Sequence, residues 1–84
     1  MDHIYKQIGK VINSVAFENE HIIKEDLTKE VDIIGDLAFD SIMLVQLVIE
    51  LEDEFNMTIG DELIEPDLFY SIEKLANFIN QKMQ

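Results

Sequence analysis

The sequence predicts an all-α fold: a small four-helix bundle of three main helices and one short third helix, with a long loop between helices 1 and 2. Three observations carry this. Apolar residues recur at spacings of three and four in separate segments, capping residues and one proline punctuate those segments, and no stretch sustains the alternation of a strand. Near the start, Ile4, Ile8, Val11, Ile12 and Val15 form one stripe and Lys6, Gln7 and Lys10 the other face, which predicts a first helix over about residues 2–16. From Phe17 to Asp40 no period persists. Thr28, Asp32, Gly35, Asp36 and Asp40 break the pattern, while Ile22, Leu27, Ile33, Ile34, Leu37 and Phe39 are expected to anchor the connection against the core.

The run that begins at Ser41 is too long for an ordinary strand and predicts a second helix from Ser41 to about Asn56. Asp40 or Ser41 can supply the capping oxygen for the free amides of its first turn. Glu50, Glu52, Asp53 and Glu54 crowd its far end, where carboxylates oppose the helix dipole, so they point to a purpose other than stability. A connection through Met57, Thr58, Ile59 and Gly60 leads to Glu62–Tyr70, in which Pro66 can open a brief helix near residues 66–70. Ser71 then caps a last helix over about 72–82, with Ile72, Leu75, Ala76, Phe78 and Ile79 apolar and Lys82 in its final turn. Ile8, Ile12, Val15, Leu47, Leu51, Phe55, Ile59, Ile72, Leu75 and Ile79 are the expected core.

Composition narrows the function. The chain has 84 residues, enough for one domain over residues 1–84, and a domain of that size buries only about 60–65% of the surface its unfolded form exposes. Eighteen acidic side chains against six lysines and no arginine give a net charge of −12, which repels a polyphosphate and excludes nucleic acid as a partner. Hydrophobic residues at 48% fit a folded domain rather than a disordered acidic tail. With no cysteine there is no disulfide framework, thiolate metal site or cysteine nucleophile, so any thiol chemistry needs a borrowed thiol. Apolar stretches fall far short of a membrane span and Met1-Asp2-His3 is no basic leader, so no membrane insertion and a cytoplasmic location are expected.

Between Lys29 and Lys74 lie 13 acidic residues and no basic one. This is either a solvated face kept soluble by repulsion or a docking surface for a basic partner. Helix 2 is apolar almost all round, with Ile42, Met43, Leu44, Val45, Leu47, Val48, Ile49 and Leu51, more than a single core stripe needs. Some of these must face outward, which makes helix 2 a recognition helix that begins with a serine.

Gly35-Asp36-Leu37-Ala38-Phe39-Asp40-Ser41-Ile42, followed by Leu47, Glu52 and Phe55, resembles the phosphopantetheine attachment region of acyl carrier proteins, whose pattern is Asp-Ser-Leu at the start of helix 2. The resemblance extends over essentially the whole chain, since the family fold is an acidic four-helix bundle with a long first loop and a short third helix. It implies a covalent 4′-phosphopantetheine, derived from coenzyme A, on Ser41, with Asp40 and Ile42 completing the motif and Asp40 positioning or capping rather than catalysing. The protein would then be a carrier and not an enzyme. Its partners would be a phosphopantetheinyl transferase and the acyl-loading and acyl-processing enzymes, met through basic docking surfaces, with the carrier itself a monomer. A phosphodiester on Ser41 would sit at a helix N-terminus, where free amides and the dipole favour an anion.

In fatty-acid-type carriers the turn after the serine usually bears acidic residues, whereas this chain has Met43 and Gln46 there. That pattern looks more like discrete carriers of polyketide or other specialised synthesis. Ala38 stands where many members have glycine or another small residue, and Ile42 replaces the usual leucine. Ile42, Met43, Val45, Gln46 and Ile49 are expected at the docking surface, with Glu52 and Asp53 pairing with a basic partner; Ile42, Val45 and Ile49 form a ridge that could equally face the core.

Other readings stay open. Ser41 could be a plain helix cap, and the protein a fatty-acid carrier, an aminoacyl carrier or an unmodified acidic adaptor. The histidines, His3 and His21, are expected at the surface, so Ser41 has no evident general base for hydrolysis. Asp32 to Asp40 lacks the ligand spacing of an EF-hand loop, and no metal site is expected.

Overall fold

A computed structural model describes residues 2–59 and 66–83, so Gly60 and the acidic Asp61, Glu62 and Glu65 lie outside the described residues. Within them the chain is all helical, without strands: α1 (Asp2–Glu18), α2 (Ser41–Phe55), a 3-10 helix (Pro66–Phe69) and α3 (Ile72–Lys82). α1 runs to Glu18, beyond the expected end near residue 16, because the apolar stripe continues through Ala16. Its stop is built from the backbone. Glu20 takes the left-handed conformation at φ 54°, and the His21 amide then turns back to donate to the Ala16 carbonyl at 2.8 Å. Glycine ordinarily fills that left-handed position.

One apolar cluster joins the helices. Ile4, Ile8, Val11, Ile12 and Val15 of α1 meet Met43, Leu47 and Leu51 of α2 and Ile72, Leu75, Ala76 and Ile79 of α3. Ile59 closes it from the connection after α2, while Phe55, expected inside, is only half-buried at its rim.

The long connection between α1 and α2 is packed down as expected, with one correction among its anchors. Ile33, Leu37 and Phe39 are buried and Leu27 and Ile34 half-buried, but Ile22 is exposed, and Val31 occupies the core instead. Backbone bonds sew this connection to the far end of the chain: Ile33 N–H donates to the Phe69 carbonyl at 2.9 Å, Ile72 N–H to Val31 at 3.0 Å and Glu73 N–H to Lys29 at 2.9 Å. The brief third helix is a 3-10 turn, and the Phe69 side chain at its end is buried. Ser71 caps α3 as predicted, its hydroxyl accepting from the Lys74 amide at 3.0 Å.

Candidate functional site

The approach to Ser41 is a folded turn, not a free loop. Asp32 organises it: its Oδ1 accepts from the amides of Ile34 and Gly35 at 3.0 and 2.9 Å, and Asp36 Oδ2 accepts from the Asp32 amide at 3.0 Å. A Cβ added at Gly35 would stand 2.7 Å from Asp32 Oδ2, so any side chain there would have to displace the carboxylate that brackets the turn. The Asp32 carbonyl then takes the amides of Asp36 and Leu37, and the Ile33 carbonyl takes that of Phe39. Between the buried Leu37 and Phe39, Ala38 has φ 57°, which accounts for glycine as the easier residue there.

Asp40 follows in extended conformation and caps α2, its Oδ1 accepting from the Met43 amide at 2.9 Å. The capping role left open between Asp40 and Ser41 therefore falls to Asp40. Ser41 is the first helical residue, exposed, and its hydroxyl has no hydrogen-bond partner among the described residues. It opens onto a shallow depression lined by Ser41, Ile42, Val45 and Gln46. The amides of Ser41 and Ile42, the first of the helix, precede the amide that Asp40 satisfies and stand where an anion on the serine would meet them. These residues fit a phosphate ester on the Ser41 oxygen: the hydroxyl is accessible, uncommitted and next to unpaired donors.

On α2 the expected docking residues separate. Ile42, Val45 and Ile49 are 66, 56 and 58% exposed and form an outward ridge, so the alternative that they face the core is closed. Met43 is corrected: at 4% exposure it lies on the same face as Leu47 and Leu51, one helical turn before Leu47, and belongs to the core. Gln46 is half-buried, and its Oε1 accepts at the surface from Asn19 Nδ2 at 2.6 Å, just past the end of α1.

The acids at the far end of α2 are also mostly engaged within the molecule. Glu52 Oε2 accepts from the Ile59 amide at 2.7 Å, which fixes the connection behind α2 and makes Glu52 a loop anchor in place of a freely presented docking charge. Glu54 pairs with Lys10 of α1 at 3.3 Å and accepts from Gln7 Nε2 at the same distance. Glu50 faces α1, where partial burial, and then the hydrogen-bonded Glu18 carboxyl, push its own carboxyl above the usual carboxylate range; a hydrogen bond from Ser14 pulls it back in part. Asp53 alone of the four is exposed.

Of the histidines, His3 is exposed as expected but His21 is not a plain surface residue. It is half-buried, with Nε2 2.6 Å from the Leu37 carbonyl oxygen and its ring edge-on to Phe39. Sequence reasoning missed this, because the contact joins positions with no local signal. Asp32 was more legible, since Asp-x-x-Gly spacing favours a side-chain-bracketed turn. Among the described residues no three His, Asp or Glu side chains gather as metal ligands, and no helix is long and apolar enough to cross a membrane.

Comparison with known proteins gives this geometry its context. Residues 18–79 match the family model described as a phosphopantetheine attachment site. The acyl carrier protein of Buchnera aphidicola subsp. Acyrthosiphon pisum (strain Tuc7) is 34% identical over 77 residues, covering 92% of this chain and 94% of that protein. The acyl carrier protein of Buchnera aphidicola subsp. Schizaphis graminum (strain Sg) is 28% identical over 82 residues, 98% of this chain and 96% of its own, and that of Guillardia theta 28% identical over 78 residues, 93% and 94%. No solved structure matches the chain. With the family model spanning most of its length, the chain belongs to the acyl carrier protein family, whose members are carriers of covalently attached 4′-phosphopantetheine and not enzymes.

Proposed function

We propose that Ser41 is the attachment residue and that this single-domain, monomeric carrier serves polyketide or related specialised biosynthesis. One observation carries the first part: Asp40 satisfies the helix cap, which leaves the Ser41 hydroxyl exposed and without a structural duty. In the attachment step the Ser41 oxygen forms a bond to a phosphorus of coenzyme A while that phosphorus loses its bond to the bridging oxygen. The adenosine 3′,5′-bisphosphate portion leaves with the electron pair, and the serine proton passes to a base that the transferase supplies. When bound, the group supplies a thiol that holds acyl chains as thioesters.

The ridge of Ile42, Val45 and Ile49, with Asp53 beyond it, is the surface offered to partners. Asp53 stands 12 residues past Ser41, about 18 Å along the helix axis, so a partner's cation meets it well away from the attachment point. Between Ser41 and Ile49 the helix bears no charge, which supports the specialised reading, since close partners of this surface need apolar contacts at the serine end. The acidity kept after Ile49 favours the second reading, a fatty-acid-type carrier, and loading assays with malonyl and with alternative acyl transferases distinguish the two.

Intact mass after incubation with coenzyme A, magnesium and a broad-specificity phosphopantetheinyl transferase tests the site. The wild type gains one phosphopantetheine and Ser41→Ala gains none. Modification of the alanine variant, or of neither protein while both are folded, overturns the assignment of Ser41 and in the latter case returns the acidic-adaptor reading.

A further inference from the structure

His21 reaches across the loop to the turn that delivers Ser41. Its Nε2 lies 2.6 Å from the Leu37 carbonyl oxygen, and its ring stands edge to face with Phe39, centroids 5.6 Å apart and planes at 85°. A carbonyl only accepts, so Nε2 carries the hydrogen and donates, whether the ring is neutral or charged. The two residues it touches flank Ala38, whose positive φ costs a non-glycine residue energy and persists only where the surroundings hold it. The Asp32 and Ile33 carbonyls hold the turn from within through the Leu37 and Phe39 amides. His21 holds it from outside, from a position 16 residues upstream. Asp40, the cap of α2, follows Phe39 directly, so the turn sets where the helix starts.

We propose that His21 is a positioning residue: its imidazole clamps the Leu37–Phe39 turn and so fixes the Ser41 hydroxyl for attack during attachment of the phosphopantetheine. The proposal rests on the reading of Ser41 given above. Val45 and Ile49 of the outward ridge stand a helical turn or more beyond Ser41 on α2, so loss of the clamp leaves their docking contacts in place and lowers kcat rather than raising KM.

Two variants separate the donor from the ring. His21→Phe keeps an aromatic ring against Phe39 and removes the donor; His21→Gln offers an N–H at similar reach. With helical content checked by circular dichroism, amide exchange at Leu37 and Phe39 in His21→Phe is expected to quicken about fivefold, the worth of one ordinary hydrogen bond, while amides of α1 and α3 keep their rates. Transferase kcat falls by a similar factor at unchanged KM, and His21→Gln returns both quantities toward wild type. Wild-type exchange and kcat in His21→Phe, equal behaviour of the two variants, or a change confined to KM overturns the proposal. If the wild type itself takes up no phosphopantetheine, it is the Ser41 reading that fails, and exchange at Leu37 and Phe39 still decides whether the clamp exists.

Discussion

The two ends of α2 solve opposite problems with the same helix. At the serine end, Asp40 meets the needs of the first turn and Ser41, Ile42 and Val45 are left exposed. At the far end, the carboxylates that should burden the helix dipole are drawn into the molecule: Glu50 toward Ser14 and Glu18, Glu52 onto the Ile59 amide, Glu54 onto Lys10 and Gln7. One end is built to be met and the other to be moored. A dense run of acids in sequence therefore does not map onto an equally dense docking charge, because Glu52 and Glu54 are already answered by the protein's own donors and Glu50 is turned toward α1.

The sharpest way to break this comparison is to truncate one residue from each face of the helix. Leu47→Ala, fully buried, is expected to cost about 2–5 kcal/mol in urea unfolding. Val45→Ala, on the ridge, should cost less than about 0.5 kcal/mol yet slow the transferase. Equal stability losses would show that the ridge is packed, not presented. A smaller effect tests the cap: Asp40→Ala loses the bond to the Met43 amide and about 1 kcal/mol, a fall in Tm of about 4–8 °C, whereas Ser41→Ala leaves Tm nearly unchanged. If Ser41→Ala proved the more damaging of the two, the serine would be the structural residue.

The smallest effect belongs to the moored end. Glu50 has a raised carboxyl in the folded state, so its protonated form is favoured by folding; at low pH both states hold the proton and no penalty exists, and as pH rises above the unfolded value of 4.5 the folded state loses stability. Glu50→Gln should thus raise Tm at pH 7 and have no such benefit at pH 4, in thermal melts at both values. A benefit that is the same at both would remove the ionisation of Glu50, part-buried and facing Glu18, as its cause.

Helix positions and most of the core were legible in the sequence because they depend on local period and caps: Ile8, Ile12, Leu47, Leu51, Leu75 and Ile79 are all fully buried, and Ser71 caps as expected. Met43 was misread because α2 is apolar on nearly every side, so composition cannot say which residue of Ile42 and Met43 turns inward. The packing of α2 against α1 fixes that rotation. Ile22 and Val31 were exchanged as loop anchors for the same reason, since without a period a loop gives no face. At the site, Asp40 and Ser41 could be found from motif and spacing, but their division of labour, cap against free hydroxyl, is a matter of one hydrogen bond. His21 lay beyond local reasoning altogether.

The stitches between the first loop and the chain's last third also set a timetable. Val31 and Lys29 offer carbonyls, and Ile33 an amide, whose mates are Ile72, Glu73 and Phe69. A ribosome delivers the serine long before it delivers those mates, and closing so wide a span is the slow, late part of folding. While the chain is still growing, the turn that leads into α2 lacks the backbone that steadies it. The set of bonds that ties the first loop down is complete only in a molecule made through residue 73.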